Sequence, residues 1–229
     1  MCSQYIIDKS GEWLTPFYKA REIKPLKNGE RIVPRRPAPI LFMEKGRRVL
    51  TEMEFGLIPA WSKTRKVKFA THNARLMSED EKFHKEIPIY KKPTWREPFA
   101  KRHCIVPISK FIEPLYTGRL AGNMVRFFPK GGQMLSAAGI WEEWASKETG
   151  EVVLSFTVLT DDPVPYISKM GHDRTPVFLK EERIDEWLDA GSKKSEDWLP
   201  FLRGNVDKIE WTEEIDRPLA KNWEQRKPD

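Results

Sequence analysis

Cysteine is scarce in this sequence, and long apolar runs are absent. The 229 residues include only 2 cysteines, too few for a disulfide scaffold or a four-cysteine zinc site. No apolar run approaches the roughly 20 residues of a membrane-spanning helix, and residues 1–18 lack the apolar stretch of a signal peptide. We therefore expect an intracellular, cytoplasmic protein in a reducing compartment, with no membrane partner.

Several short signatures of nucleotide-binding and hydrolytic proteins are also missing. The patterns GxxxxGK[ST], GxGxxG, HExxH and GxSxG do not occur, which argues against P-loop, Rossmann, zincin and α/β-hydrolase chemistry. The 4 histidines and 2 cysteines show no paired spacing typical of metal ligands. We expect neither a metal nor an organic cofactor.

Positive charge is abundant and unevenly distributed. The chain has 40 Lys and Arg against 34 Asp and Glu, but residues 1–110 carry 24 against 12 and residues 111–229 carry 16 against 22. A basic half indicates a polyanionic partner, most simply nucleic acid, although a solvated surface fits the charge equally well. The 9 tryptophans favour single-stranded nucleic acid slightly, because aromatic rings beside positive charge stack on bases.

Strand-like segments outnumber helical ones. β-Branched and aromatic residues predict strands over 49–58, 69–72, 104–112, 124–128, 134–140 and 152–160. Helices are predicted over 78–86 from a capping box, over 181–190, and after Ser195, while proline-rich residues 25–39 predict an extended basic loop. Because the helices do not alternate with strands, we predict an α+β fold in a single domain over residues 1–229. Its mixed or antiparallel sheet curls into a partly closed barrel with a few short flanking helices.

Cys2 is the unusual position in this sequence. Cysteine is small enough for the initiator Met1 to be removed, which places an α-amine and a thiol on one residue. Their ordinary pKa values, about 7.7–8.0 and about 8.5, leave a reactive fraction of each near neutrality. An aldehyde forms an imine with such an amine, and the thiol then closes a five-membered thiazolidine intramolecularly. The position therefore allows covalent capture of an aldehyde, while position alone favours the simpler interpretation of a frayed terminus.

Three short segments carry further candidate site residues. In THNAR, Asn73 and Arg75 project from one face of an extended segment, suited to a hydroxyl or imine and to a phosphate. In KFIEP, burial of Glu113 among apolar neighbours is expected to raise its pKa and fit it for acid–base work. In GHDRTP, His172 lies beside the guanidinium of Arg174. Taken singly, these residues are more simply explained as a turn asparagine, a surface ion pair or a capping aspartate.

Taken together, the segments resemble the SOS response-associated peptidase (SRAP) family, whose members shield abasic sites in single-stranded DNA by covalent crosslinking. The resemblance runs from residue 1 to about residue 220, through seven segments in the family's order. These are MC at 1–2, GLIPAW at 56–61, NAR at 73–75, FIE at 111–113, AGIWE at 138–142, FTVLT at 156–160 and HDRTP at 172–176. No segment is decisive alone, but seven in order make a specific match.

The resemblance implies a role for each candidate residue. The family's catalytic positions fall on Cys2, Asn73, Glu113 and His172. Its DNA-binding positions fall on Arg75, Arg174 and Trp61. The sequence departs from the family where Ser3 and Gln4 replace Gly-Arg and where Pro114 replaces a Trp.

Three hypotheses about function follow. The first is a DNA-damage repair enzyme of the hydrolase or lyase class, acting in the SOS response. It captures abasic sites in single-stranded DNA as a thiazolidine on Cys2, after Met1 has been removed. We expect such a protein to be a monomer that associates with the nucleoid when bound to DNA. The second is a thiol protease that uses Cys2 on peptide bonds. The third is a non-catalytic binder of single-stranded DNA.

Overall fold

The computed structural model describes residues 4–23, 31–80 and 85–226. The strands are β1 (Gln4–Ile6), β2 (Arg21–Glu22), β3 (Arg31–Ile32), β4 (Pro37–Glu44), β5 (Arg47–Phe55), β6 (Asn73–Arg75), β7 (Met77–Asp80), β8 (Lys85–Pro88), β9 (His103–Ile108), β10 (Lys110–Leu115), β11 (Asn123–Pro129), β12 (Leu135–Ala145), β13 (Val152–Asp161), β14 (Thr175–Pro176) and β15 (Trp211–Pro218). The α-helices are α1 (Gly11–Phe17), α2 (Arg96–Lys101), α3 (Pro165–Lys169), α4 (Ile184–Leu188) and α5 (Trp198–Gly204). Single turns of 3-10 helix span Ile89–Lys91, Glu181–Arg183, Ala190–Ser192, Ser195–Asp197 and Trp223–Arg226.

Five strands close into a barrel. Strands β13, β12, β9, β4 and β5 are neighbours in that order, and a parallel pairing of β5 with β13 completes the ring, with Phe55 opposite Phe156. Closure agrees with the burial of these strands, since every residue of β9 is buried and β12 and β13 contain long buried runs. Strands β2, β6 and β14 extend this sheet. A closed ring leaves the core strands without an unpaired edge.

A second sheet, with the order β15-β11-β10-β1-β3, combines strands from the early and the late parts of the described chain. Nη1 of Arg31 on β3 donates to Oδ2 of Asp216 on β15 at 3.0 Å, and Nε of Arg126 donates to Oδ1 at 2.7 Å. An arginine cannot reach across a flat sheet whose strands are about 4.8 Å apart, so the sheet must curl until its outer strands meet. The hydrogen bond from Arg31, supported by Arg126, lowers the pKa of Asp216 to about 2.

The two sheets share one apolar core, which is continuous through the described residues. Tyr5 of β1 packs edge-on against Phe55 of β5, with ring centroids 5.3 Å apart, and so joins the second sheet to the barrel. The described helices are short and cover the outside. Those described include none long and apolar enough to cross a membrane.

The glycine of the AGIWE segment, Gly139 on β12, is required by the close packing of three strands. It lies opposite Val158 on β13 and Cys104 on β9. A Cβ at this position would lie 2.9 Å from the carbonyl oxygen of Thr157 and 2.9 Å from Sγ of Cys104. Only a residue without a side chain allows the three strands to pack this closely.

The α+β class and the curled sheet predicted from the sequence are confirmed. The predicted strands over 124–128 and 152–160 match β11 and β13 closely. The run over 104–112 is interrupted at Ser109, whose hydroxyl donates to Oδ1 of Asp8 at 2.6 Å, so it forms β9 and β10 rather than one strand. Residues 69–72 lie outside the strands, and β6 begins at Asn73 instead.

The helix predicted over 78–86 is wrong. Residues on either side of its middle form the antiparallel pair β7 and β8, with Ser78 opposite Ile87, and residues 81–84 lie outside the described part. The capping-box pattern is local, and strand pairing overrides it. Of the loop predicted over 25–39, residues 25–30 lie outside the described part, and the remainder is wrong in part, since Arg31–Ile32 form β3 and Pro37 and Pro39 lie in β4. Prolines are tolerated there because β4 pairs with β9 only further along, at Leu41 and Phe42.

Candidate functional site

A buried acid–base pair forms the centre of the candidate site. Oε2 of Glu113, on β10, lies 3.3 Å from Nε2 of His172, which precedes β14. The Glu113 side chain is 1% exposed and that of His172 is 6% exposed. Glu113 shares the inner face of its sheet with Phe111 and Val125, so the fold withdraws it from bulk water. The sequence therefore brings two residues that are 59 positions apart into direct contact.

The backbone of Arg174 holds the other side of the imidazole. Its N–H donates to Nδ1 of His172 at 3.2 Å, and its carbonyl oxygen lies 3.0 Å from the same nitrogen. When His172 is neutral, Nδ1 accepts from the N–H and Nε2 carries the proton that faces Glu113. When His172 is protonated, Nδ1–H donates to the carbonyl. The same peptide segment therefore accommodates both protonation states, as a residue that moves protons requires.

The charge state of Glu113 differs from the expectation. Burial alone raises its pKa, as the sequence predicted, but neighbouring positive charge outweighs burial, and a protonated His172 contributes to it both through space and by hydrogen bonding. The pKa of Glu113 is therefore lowered, and the prediction of a raised pKa is wrong. A carboxylate that stays ionised is suited to accept a proton first and return it later.

Strand β6 presents the next two predicted residues. Asn73 and Arg75 pair in parallel with Val158 and Thr160 on β13, and the intervening Ala74 points into the core. The two polar side chains thus share one face, as the alternation of the THNAR segment predicted. Nη2 of Arg75 lies 3.5 Å from Oδ1 of Asp162.

Asp173 links the two candidate phosphate-binding arginines. One of its carboxylate oxygens, Oδ2, lies 3.1 Å from Nε of Arg174 and 4.0 Å from Nη1 of Arg75. Burial raises the pKa of Asp173, but the opposing effects of the neighbouring positive charges, led by Arg174, are together larger, so the pKa lies below its ordinary value. The structure thus brings Arg75, Arg174 and His172 to one place, and both guanidinium groups are held by an exposed carboxylate that an incoming anion can replace.

Trp61 lies in the long connection between β5 and β6. Its side chain is exposed, at 58%, so the alternative that it is a core residue is wrong. The same connection walls a cleft of about 210 Å³ that extends from Arg35 and Phe69 to His72. An indole this exposed is open to stacking by a base or another aromatic ring.

Two titratable groups near these residues, His72 and Lys92, were not predicted from the sequence. Burial lowers the pKa of His72, and its Nε2 atom has no hydrogen-bond partner among the residues that the structure describes. The one feature of the sequence that could have identified His72 is its position next to the candidate residue Asn73. Lys92, which follows the 3-10 turn Ile89–Lys91, donates from Nζ to the carbonyl oxygen of Arg75 at 3.4 Å. Nothing in the local sequence distinguishes Lys92 from other lysines.

Cys2 lies outside the described residues. The chain enters the described part at Gln4, which β1 places opposite Ile112, the neighbour of Glu113. The other cysteine, Cys104, is buried, and burial raises the pKa of its thiol well above the ordinary value. Cys104 is therefore unsuited to act as a thiolate nucleophile. Across the described residues, no cluster of three or more His, Cys, Asp or Glu is arranged to hold a metal ion.

Comparison with known proteins places this arrangement in a family context. The chain is 29% identical over 153 residues to the abasic site processing protein YoaM of Bacillus subtilis, a match that covers 67% of this chain and 62% of that protein. It is 24% identical over 181 residues to the abasic site processing protein HMCES of Gallus gallus, covering 70% of this chain and 51% of that protein. The chain thus spans between half and two thirds of the length of these relatives.

Solved structures agree on the fold. A crystal structure of a protein from Bordetella bronchiseptica matches with a TM-score of 0.72 at 22% identity, covering 94% of this chain and all of that one. A protein from Bacteroides thetaiotaomicron matches with a TM-score of 0.72 at 20% identity, covering 99% and 95%. The family model described as SOS response associated peptidase (SRAP) matches residues 1–215. The chain belongs to the SRAP family.

Proposed function

We propose that this protein binds abasic sites in single-stranded DNA and captures the ring-opened sugar covalently through Cys2. The observation that carries the proposal is the buried contact between Glu113 and His172 at the end of the sheet where β1 begins. Cys2 is two residues from Gln4, and two residues of extended chain span at most about 7 Å. This short separation in sequence supports the proposal that Cys2 acts together with Glu113.

All covalent bonds of the proposed reaction form between Cys2 and the aldehyde. Removal of Met1 frees the α-amine, which adds to C1′ of the ring-opened deoxyribose and expels water to form an imine. The thiol then adds across the carbon–nitrogen double bond, so that sulfur bonds to C1′ and the thiol proton ends on nitrogen. The product is a thiazolidine, and no oxidant or reductant is consumed. Holding both nucleophiles on one residue makes the second step intramolecular.

The described residues supply proton transfers and positioning. In this proposal the Glu113 carboxylate assists opening of the sugar ring by moving a proton between its hydroxyl and ring oxygen. The ring of His172 moves protons at the carbinolamine and the imine, since its backbone contacts accommodate both protonation states. The amide of Asn73, on the neighbouring strand, holds the sugar hydroxyl or the adduct. Each proton transfer of this kind contributes typically 10²–10⁴-fold to a rate.

The DNA contacts follow from charge and exposure. Arg75 and Arg174 bind the phosphates that flank the abasic sugar in place of Asp173, and Trp61 stacks on a neighbouring base. Only a single strand presents an unstacked base and an accessible C1′ together, so we expect selectivity for strand state rather than for sequence. The names of the Bacillus and Gallus relatives support abasic DNA as the partner.

A denaturing gel tests the proposal. The purified protein is incubated with a single-stranded oligonucleotide containing one abasic site. The matched control carries a tetrahydrofuran analogue, which has no aldehyde. We expect a denaturant-stable complex with the abasic strand alone. Binding without a stable complex would instead support a non-catalytic binder, and cleavage of a peptide substrate without a complex would support a peptidase. Mass spectrometry of the N-terminus completes the test. If Met1 were retained, the nitrogen of Cys2 would stay in a peptide bond and Cys2 would lack the free α-amine that the reaction requires.

A further inference from the structure

Lys92 has an unusual position for a lysine on the outside of a protein. It follows the 3-10 turn Ile89–Lys91 and is half-buried, with its Nζ atom 3.4 Å from the carbonyl oxygen of Arg75. The neighbouring Lys91 is exposed. The fold therefore holds the ammonium group of Lys92 against the same strand that presents Asn73 and Arg75, while Lys91 faces solvent.

The surroundings of Lys92 are electropositive. Among the described residues, no carboxylate lies within ion-pair distance of its Nζ atom. The charged residues on the elements around it are Arg75 on β6, Lys91 on its own turn, and Arg96, Glu97 and Lys101 on α2. The backbone N–H of Arg96 donates to the Lys92 carbonyl, and the exposed Glu97 pairs with Lys101 on the same helix. Burial, and then the charge of Arg75, lower the pKa of Lys92 to about 8.

The acids nearest to Arg75 do not neutralise this cluster. Asp162 and Asp173 make long contacts with Arg75, at 3.5 and 4.0 Å, and their side chains are 77% and 62% exposed. Such contacts contribute little, and Asp173 is shared with Arg174. Two neighbouring cations whose only carboxylate contacts among the described residues are long and exposed form a site for an anion with several oxygens, and a phosphodiester offers two.

We propose that Lys92 binds a backbone phosphate of the DNA strand together with Arg75. The inference rests on the proposed function, because it takes the strand to cross β6 beside Asn73. Lys92 contributes the point charge and Arg75 the planar guanidinium, so that one phosphodiester group replaces the two exposed carboxylates. Lys92 is a binding residue in this scheme and takes no part in the chemistry at C1′.

A measurable consequence follows from the protonation of Lys92. In the free protein a large share of the Lys92 side chains is neutral at pH 8, whereas a phosphate favours the ammonium form and raises the pKa. Binding then takes up a proton. Between pH 7 and pH 9 the affinity for the strand should fall by about tenfold, since the free protein must be protonated before it binds.

The test compares Lys92→Arg, Lys92→Gln and the control Lys91→Gln in a Cys2→Ala background. The probe is a fluorescent single-stranded oligonucleotide without an abasic site, and anisotropy gives affinity from pH 7 to 9 at several salt concentrations. All variants keep the same N-terminal amine, so its titration cancels between them. Melting temperatures confirm that each variant is folded.

We expect Lys92→Arg to bind as tightly as the parent at pH 7 and to lose the fall in affinity above pH 8. Lys92→Gln should bind about tenfold more weakly at pH 7, with a salt slope flatter by about 0.7. Lys91→Gln should retain the parent's pH profile. A Lys92→Arg profile identical to the parent, or an unchanged affinity in Lys92→Gln, would overturn the inference. A parent that binds no single strand would instead count against the proposed function.

Discussion

Glu113 and His172 face each other at 3.3 Å between Oε2 and Nε2, and both side chains are almost fully withdrawn from solvent. The contact joins β10 of the second sheet to the segment that leads into β14 of the barrel. The pair therefore exists only where the two sheets meet, and its geometry depends on both.

We predict that Glu113→Gln and His172→Ala each slow capture of an abasic strand by about 10²-fold, because each removes one proton-transfer group. The rate is measured from crosslink yield against time under single-turnover conditions. Melting temperatures of both variants serve as the control for folding. If a folded variant captures the strand at a rate within a factor of two of the parent, that residue has a structural role only.

Replacement of Cys2 separates the two nucleophiles. We predict that Cys2→Ala forms no denaturant-stable adduct, whereas Cys2→Ser retains an imine that borohydride traps but that otherwise reverses. The serine keeps the α-amine and loses the thiol that closes the thiazolidine. Gels run with and without borohydride distinguish the two species. A stable adduct in Cys2→Ala without borohydride would assign the chemistry to another residue.

Salt dependence distinguishes phosphate contacts from stacking. We predict that Arg75→Ala and Arg174→Ala each flatten the slope of log affinity against log salt by about 0.7, the value for one phosphate on a single strand. Trp61→Ala should weaken binding by about 1–3 kcal/mol and leave the slope unchanged. Since Trp61 is exposed, its removal should also leave the melting temperature unchanged. A less stable Trp61→Ala variant with normal affinity would contradict the stacking role.

Asp216 should make folding stability depend on pH. Its pKa of about 2 lies below the ordinary value of 3.8, so its contribution is fully present above about pH 4 and is lost as pH falls through about 2. We predict that Asp216→Asn lowers the free energy of unfolding at pH 7 by about 2 kcal/mol. The difference should shrink between pH 4 and pH 3 in urea denaturation. The exposed Glu148 provides the control Glu148→Gln, and a difference that stays constant down to pH 3 would contradict the assignment.

Much of the strand structure was predictable because its signal is local. The run of β-branched and aromatic residues over 152–160 is typical of a strand, and β13 spans Val152–Asp161 accordingly. The break at Ser109 was not predictable, because it depends on Asp8, which is 101 positions away. The capping-box pattern at Ser78 failed for a different reason, since Ser78 pairs with Ile87 on the next strand and this antiparallel pairing overrides the local helix signal.

The candidate site was predictable as a set of residues but not as an electrostatic unit. The sequence identified Glu113 and His172, and the structure places them in contact. It gave the wrong direction for the pKa of Glu113, because the neighbouring positive charge comes from distant segments. Lys92 was missed because its burial and its contact with Arg75 arise only from tertiary packing.

The strand order also has a consequence for protein synthesis. β1 lies between β10 and β3, and the curl of that sheet is completed by β15 near the other end of the described chain. A ribosome must therefore make about 110 further residues before β1 finds its first long partner, and about 100 more before the outer strand arrives. Throughout that interval a nascent chain carries Cys2 but not the folded contact between Glu113 and His172. In the proposed reaction, efficient capture therefore waits until β15 has been made, and a translation product abandoned before then has the nucleophile without the acid–base pair that assists it.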